Sequence, residues 1–178
     1  MKIHEQRSSD MQHLADRLKG QRTAMFTLRD SRGQIGGRPL TVLEMDRDGA
    51  LWALVSKHAM KPHFASGAQP ANFAFVDADN GLYVSIAGQA ELVDEAERKR
   101  ELWTAVARPW FSGPDDADLT LLCLSPQRAE VWDGPDSAVV RVLALAASVV
   151  AGKEIGLGEH EVVVPAGQSA SLPLNVPA

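Results

Sequence analysis

A chain of 178 residues with 45% apolar residues and a formal charge of −5 fits one soluble domain built on a single core. The acidity argues against bulk nucleic-acid binding, and no apolar run nears the roughly 20 residues that span a bilayer. A lone cysteine, Cys123, excludes an intramolecular disulfide and a cysteine-rich zinc site, and no secretory leader stands at the N-terminus, so the cytoplasm is the expected location. The charge is unevenly spread: residues 1–63 carry eleven Lys/Arg against seven Asp/Glu, and residues 64–178 carry seven against sixteen. A small anionic ligand would be drawn to the first part, although uneven solvated surface gives the same count.

In chain order, residues 9–19 predict a short helix capped by Ser9 or Asp10, with Met11, Leu14, Ala15 and Leu18 on one face and Gly20 after it. Residues 23–29 read as a strand, Asp30 to Gly33 as a hairpin turn and Ile35 to Met45 as the returning strand, its Gly36-Gly37 pair marking a bulge or a close approach. A turn at Asp46–Gly49 leads to a strand over 50–55, and 58–67 suggest a short helix with Pro62 near its first turn. Strands follow at 72–76 and 82–93. Residues 94–107 form the clearest helix, with Ala96, Leu102, Ala105 and Val106 as its apolar stripe and Arg98-Lys99-Arg100 as a solvated face. Further strands are expected at 119–124, 129–132 and 139–146, and the tail from Gly152 shows no helical period. Antiparallel hairpins dominate, which favours a closed or split β-barrel over a parallel sheet.

Arg38, on a strand beside paired glycines, and Lys61, where a helix follows a strand, carry the chemistry of a phosphate cradle. Charge-assisted hydrogen bonds, backbone donors and a helix dipole would converge there. Both also suit ordinary surface cations, and spacing alone does not choose. The five histidines lack ligand spacing, so no metal is expected. Cys123 sits in an apolar run as a core residue, and Trp52 and Trp103 read as core. Trp110 suits a ligand cover or a subunit contact, and Trp132 suits core or ligand.

In order, the chain carries Arg38-Pro39-Leu40, Asp48 to Trp52, Lys61, Tyr83 to Ile86 and Gly88 to Glu91. These are followed by Glu101 to Trp103, Trp110-Phe111 with Gly113, Asp115 to Leu119, Arg128 to Asp133 and Val140 to Val142 leading to Gly152-Lys153. From about Asp10 to Lys153 this set resembles the pyridoxamine 5'-phosphate oxidase-like FMN-binding split barrels, especially their bacterial general stress protein subgroup. The resemblance implies a mainly β (α+β) split barrel of antiparallel strands with a few flanking helices, forming a homodimer. Residues 1–153 would make the FMN-binding domain, and 154–178 a C-terminal tail, partly disordered.

FMN would lie between the subunits, with FAD, which shares the ring and proximal phosphate, as the alternative. Arg38, Pro39, Leu40 and Thr41 would line it, Leu54 and Val55 would place backbone groups against the ring, and Lys57 and Lys61 would bring positive charge to the phosphate. Tyr83 would meet the ring edge, while Trp110, Phe111 and Trp132 would cover the cofactor from the other subunit. Relatives often carry hydroxyls where Val55 and Ala59 stand. Two lost hydrogen bonds of about 1 kcal/mol each would weaken flavin by roughly ten- to thirty-fold.

The implied role is flavin-dependent redox chemistry in a stress response, with a nicotinamide cofactor or a reductase as electron donor. A flavin-sequestering protein without turnover and a flavin-free dimeric module are the alternatives. No residue presents itself as a catalytic acid or base. Pyridoxamine phosphate oxidation is disfavoured, because no Arg or Lys follows Lys153 to hold a second phosphate.

Overall fold

The computed structural model of this chain describes residues 1–30, 32–134 and 159–163. Strands β2 (Thr23–Arg29), β3 (Ile35–Met45), β4 (Leu51–Ser56), β5 (Gln69–Asp77), β6 (Leu82–Val93) and β7 (Leu119–Asp133) pair antiparallel in the order β3-β2-β5-β6-β7-β4. β4 pairs back onto β3, so the six strands close into a barrel. β1 (Lys2–Ile3) adds in parallel to the end of β3, and β8 (Glu159–Val163), inside the segment expected as a tail, adds antiparallel to β7. The expected mainly β barrel is therefore what these residues form. The strand expected at 139–146 lies outside the described residues.

Period-two alternation builds the core. Phe26, Phe73, Phe75, Leu51, Ala53, Val55, Val84, Ile86, Leu122 and Leu124 all point inward and are buried. The Phe26 and Phe73 rings meet at a centroid distance of 4.9 Å. Helix α1 (Ser9–Arg17) covers one end with Met11, Leu14 and Ala15, and its cap is Ser8, one residue before the expected pair, accepting from Met11 N–H at 3.3 Å. At another opening Met60, from α2 (Lys57–Met60), and Phe64, from the 3-10 turn Lys61–Phe64, are buried in the same cluster.

Two long strands change partner part-way. β7 runs unbroken through Pro126, where the sequence suggests two strands. Its outer edge pairs with β4 over 119–124 and with β8 over 129–133. Pro126 falls in the gap between those partners, where a missing N–H breaks no ladder bond on that edge. The other edge follows β6 throughout, with a register shift at Ala87/Gly88. β3 behaves likewise: Ile35–Thr41 pair with β2, and only Val42 to Met45 pair with β4 across a bulge.

The long helix expected over 94–107 is shorter. α3 spans Ala96–Leu102, Trp103 and Thr104 turn extended, and a 3-10 turn follows at Ala105–Ala107. Aromatic Trp103 and β-branched Thr104 have low helix propensity, and the chain bends there. Of the expected stripe only Leu102 is buried. The inward groups are instead Arg98 and Lys99, whose stems lie against the sheet while their charged ends pair. Arg98 Nη2 meets buried Glu44 at 2.5 Å, and its guanidinium lies 4.9 Å from the centre of the Trp52 ring. Trp52 is thus an outer-face residue, its Nε1 donating to Asp46 at 2.8 Å, rather than core.

At the partner change of β7, an added Cβ on Gly88 would lie 2.0 Å from the Ser125 carbonyl oxygen, whereas one on Gly113 would meet open space. Gly88→Ala is expected to destabilise the fold by about 1–3 kcal/mol, and Gly113→Ala to change it by less than about 0.5 kcal/mol, as read by urea unfolding.

Candidate functional site

The partner change in β3 leaves one edge of Ile35–Thr41 without a strand among the described residues, and a cleft of about 640 Å³ opens beside it. Val42 N–H donates to Arg22 C=O at 2.7 Å, which fixes the alternation. Main-chain groups of Gly36, Arg38 and Leu40 therefore face β2, and those of Gly37, Pro39 and Thr41 face away from it, on the open edge. Pro39 stands where an absent N–H costs the ladder nothing. One wall of the cleft is Arg38 to Thr41 with Leu43. A second is Leu54 to Ser56 with Ala59 and Met60. The third comes from the connection after α3, with Thr104, Val106, Trp110, Phe111 and Asp118.

The structure thus brings Arg38, Pro39, Leu40, Thr41, Leu54, Val55, Trp110 and Phe111 together. The Val55 side chain is buried in the barrel core. The cleft is mostly apolar, and the Arg38 guanidinium, half-buried and facing the inner side opposite Phe26, forms no hydrogen bond or ion pair among the described residues. Trp110 stands at the rim, 72% exposed.

Lys57 and Lys61 are elsewhere. One helical turn apart, they line a smaller hollow of about 270 Å³ on another side of α2, with Phe64, Glu91 and Asp94. The Lys57 ammonium is engaged by Asp94, whose other oxygen takes Lys99 Nζ at 2.7 Å. The first turn of α2 is also occupied. Asp118 accepts from Ser56 Oγ–H at 2.6 Å and His58 N–H at 2.7 Å, its carbonyl accepts from Lys57 N–H at 2.6 Å, and Ser56 Oγ accepts from Ala59 N–H at 3.1 Å. A helix start with free donors, as the sequence suggested, is therefore absent here, because an internal carboxylate fills it. Tyr83 and Trp132 are cross-strand neighbours on β6 and β7, both exposed and outside the cleft.

The comparisons with known proteins match this barrel. The family model "Pyridoxamine 5'-phosphate oxidase like" covers residues 9–156. The chain belongs to this family. General stress protein 26 of Bacillus subtilis is 38% identical over 58 residues, which span 33% of this chain and 41% of that protein. A solved structure assigned to general stress protein 26 from Jannaschia sp. is 28% identical, covering 84% of this chain and 94% of the other at a TM-score of 0.66. The general stress FMN/FAD binding protein of Xanthomonas citri is 26% identical, covering 68% of this chain and 86% of the other at a TM-score of 0.58. Among the described residues, no helix is long and apolar enough to cross a membrane.

Sequence reading missed Ser56 and Asp118 as a joined pair in the cleft wall. They are 62 positions apart, and only the β4–β7 pairing, which sets Ser56 opposite Leu119, brings them together. The signal available was an Asp ahead of a strand and a Ser ahead of a helix, each common in loops.

The Lys57 and Lys99 ammoniums hold the Asp94 carboxyl down at about 2, from 3.8. A lowered carboxylate stabilises the fold above its unfolded value and loses that contribution as pH falls through the folded one. Asp94 is 46% exposed, so solvent screening keeps the contribution to about 1 kcal/mol or less. Asp94→Asn is expected to be less stable by that amount above pH 4, with the difference closing between pH 4 and pH 2 in urea titrations.

Proposed function

We propose that this chain binds a flavin nucleotide, FMN by preference, in the cleft beside β3, and works as a homodimer in flavin-dependent redox chemistry of a stress response. The observation that carries this reading is the unpaired Arg38 guanidinium in an otherwise apolar cleft. A half-buried cation without a partner is costly, and an anionic ligand with an apolar body relieves it. Apolar walls suit the isoalloxazine ring, and the open main-chain groups of Gly37, Pro39 and Thr41 supply hydrogen bonds for its polar edge. The fit extends to a neighbour at 26% identity that is an FMN/FAD binding protein.

When bound, the flavin supplies the electron or hydride chemistry, with a nicotinamide cofactor or a reductase as donor. The chain's own residues bind and orient: Arg38 takes the phosphate, and Leu40, Leu54 and Phe111 exclude water from the ring. Lys61, on another side of α2, adds positive potential. Tyr83 and Trp132, exposed and away from the cleft of their own chain, serve the cofactor of a second copy. FAD remains the alternative nucleotide, since it presents the same ring and proximal phosphate.

One observation favours a second reading, flavin sequestration without turnover. Among the described lining residues of the cleft, the one carboxylate is Asp118, already committed to Ser56 and His58, so no side chain there is placed to move a proton.

The test is titration of cofactor-stripped protein with FMN and with riboflavin, followed by flavin fluorescence. Arg38→Ala is expected to weaken FMN by about ten- to a hundred-fold, in line with the loss of a charge-assisted bond, and riboflavin by less than about three-fold. Lys61→Ala should act in the same direction by a smaller factor. Equal weakening of both ligands would overturn the phosphate assignment, and no binding of either would overturn the flavin reading. Reduction of bound flavin no faster than free flavin selects sequestration.

A further inference from the structure

Asp118 stands in the wall of the cleft that holds Arg38, with both oxygens of its carboxylate and its own backbone N–H held by hydrogen bonds. Ser56 Oγ–H binds one oxygen at 2.6 Å, His58 N–H binds the other at 2.7 Å, and Asp116 Oδ1 takes the Asp118 N–H at 2.9 Å. Those bonds, from the Ser56 hydroxyl first and the His58 amide second, hold its carboxyl below the usual carboxylate range, so it is charged at neutral pH. The donors that Asp118 and Ser56 satisfy are the Lys57, His58 and Ala59 N–H groups of a four-residue helix, which leaves none of these three for a ligand. Lys57, the nearest cation on that turn, is held by Asp94 on another side. Among the described residues, the cleft therefore contains one positive group without a partner, Arg38, and one immobile negative group, Asp118.

We propose that Asp118 is a specificity-determining residue of this cleft: its fixed carboxylate opposes the phosphate of a flavin nucleotide, and so narrows the preference for FMN over riboflavin that Arg38 creates. The inference rests on the flavin reading of the site. A dianionic phosphate near Arg38 feels the Asp118 charge through a partly apolar, low-dielectric space, whereas a neutral ring does not. The discrimination between phosphorylated and unphosphorylated flavin is then a difference between two opposed charges. Ser56, bound to both Asp118 and Ala59, contributes no free hydroxyl proton to either ligand.

The experiment measures dissociation constants for FMN and riboflavin in the wild type, in Asp118→Asn and in the control Asp115→Asn. Asp115 is a carboxylate in the same loop that pairs with Arg100 and does not line the cleft. Asp118→Asn keeps an oxygen acceptor for the α2 turn, and a thermal melt checks that it folds. The expected result is a rise of about three- to ten-fold in FMN affinity relative to riboflavin in Asp118→Asn, shrinking as salt is raised, with the ratio unchanged in Asp115→Asn. A merely structural role for Asp118 would shift both ligands together. Riboflavin binding with an unchanged or lower FMN ratio in Asp118→Asn would overturn the inference and leave the flavin reading standing. Binding of neither ligand by the wild type or the variants would overturn the flavin reading, and this inference with it.

Discussion

Everything in this molecule depends on how β3 closes the barrel. Its last residues, Val42 to Met45, are shared between β2's side of the sheet and β4, while Ile35–Thr41 keep β2 alone. An antiparallel barrel needs every strand paired on both edges, and β3 satisfies that for less than half its length. The unpaired remainder is an edge strand inside a closed fold. Pro39 and the Gly36-Gly37 pair make that edge a poor template for another strand, and the cleft forms along it.

β7 solves the complementary problem. Fifteen residues long, it spans β4 on one half and β8 on the other, with Pro126 and the Gly88 contact at the crossover. Its first half is buried on both faces: Leu122 and Leu124 look into the barrel, and Leu119, Leu121 and Cys123 look out beneath covering chain. Burial in that apolar setting, the largest influence, pushes the Cys123 thiol up to about 12, so it stays protonated and unreactive at neutral pH. The cover is held by charge as well as by packing. Arg98 reaches Glu44 on β3, Lys99 reaches Asp94, and Asp118 ties the end of the connection to α2. The segment with Trp110 and Phe111 is in this way suspended between two anchored ends.

The same anchoring sorts the cations. Several positive groups on the elements around the cleft have an internal partner: Lys57 has Asp94, Arg98 has Glu44 and Glu101, and Arg100 has Asp115. Arg38 does not. Net positive charge in residues 1–63 therefore says little about the site, because pairing cancels much of it locally. What marks the site is a guanidinium that, among the described residues, has no partner and stands in apolar surroundings.

The residues themselves determined the strands. Alternation over 23–29, 35–45 and 82–93 matches β2, β3 and β6 end to end, because period-two burial is a local property that survives into any barrel. The Arg-Pro-Leu-Thr run as a cleft wall was legible for a similar reason: a proline and paired glycines on a strand signal an edge wherever it lies. Tertiary structure alone decided the rest. Residues 94–107 carry helical composition, yet the chain leaves the helix at Trp103 and Thr104, and Arg98 turns inward to Glu44 on β3, a partner that only the fold supplies. Pro126 reads as a strand end, yet the strand continues because its partner changes there. The joining of Ser56 to Asp118, and the diversion of Lys57 to Asp94, depend on which strands pair and in what register. Hydrogen bonds and ion pairs between distant positions carry no period or spacing along the chain, so only the folded arrangement could settle which charges are paired.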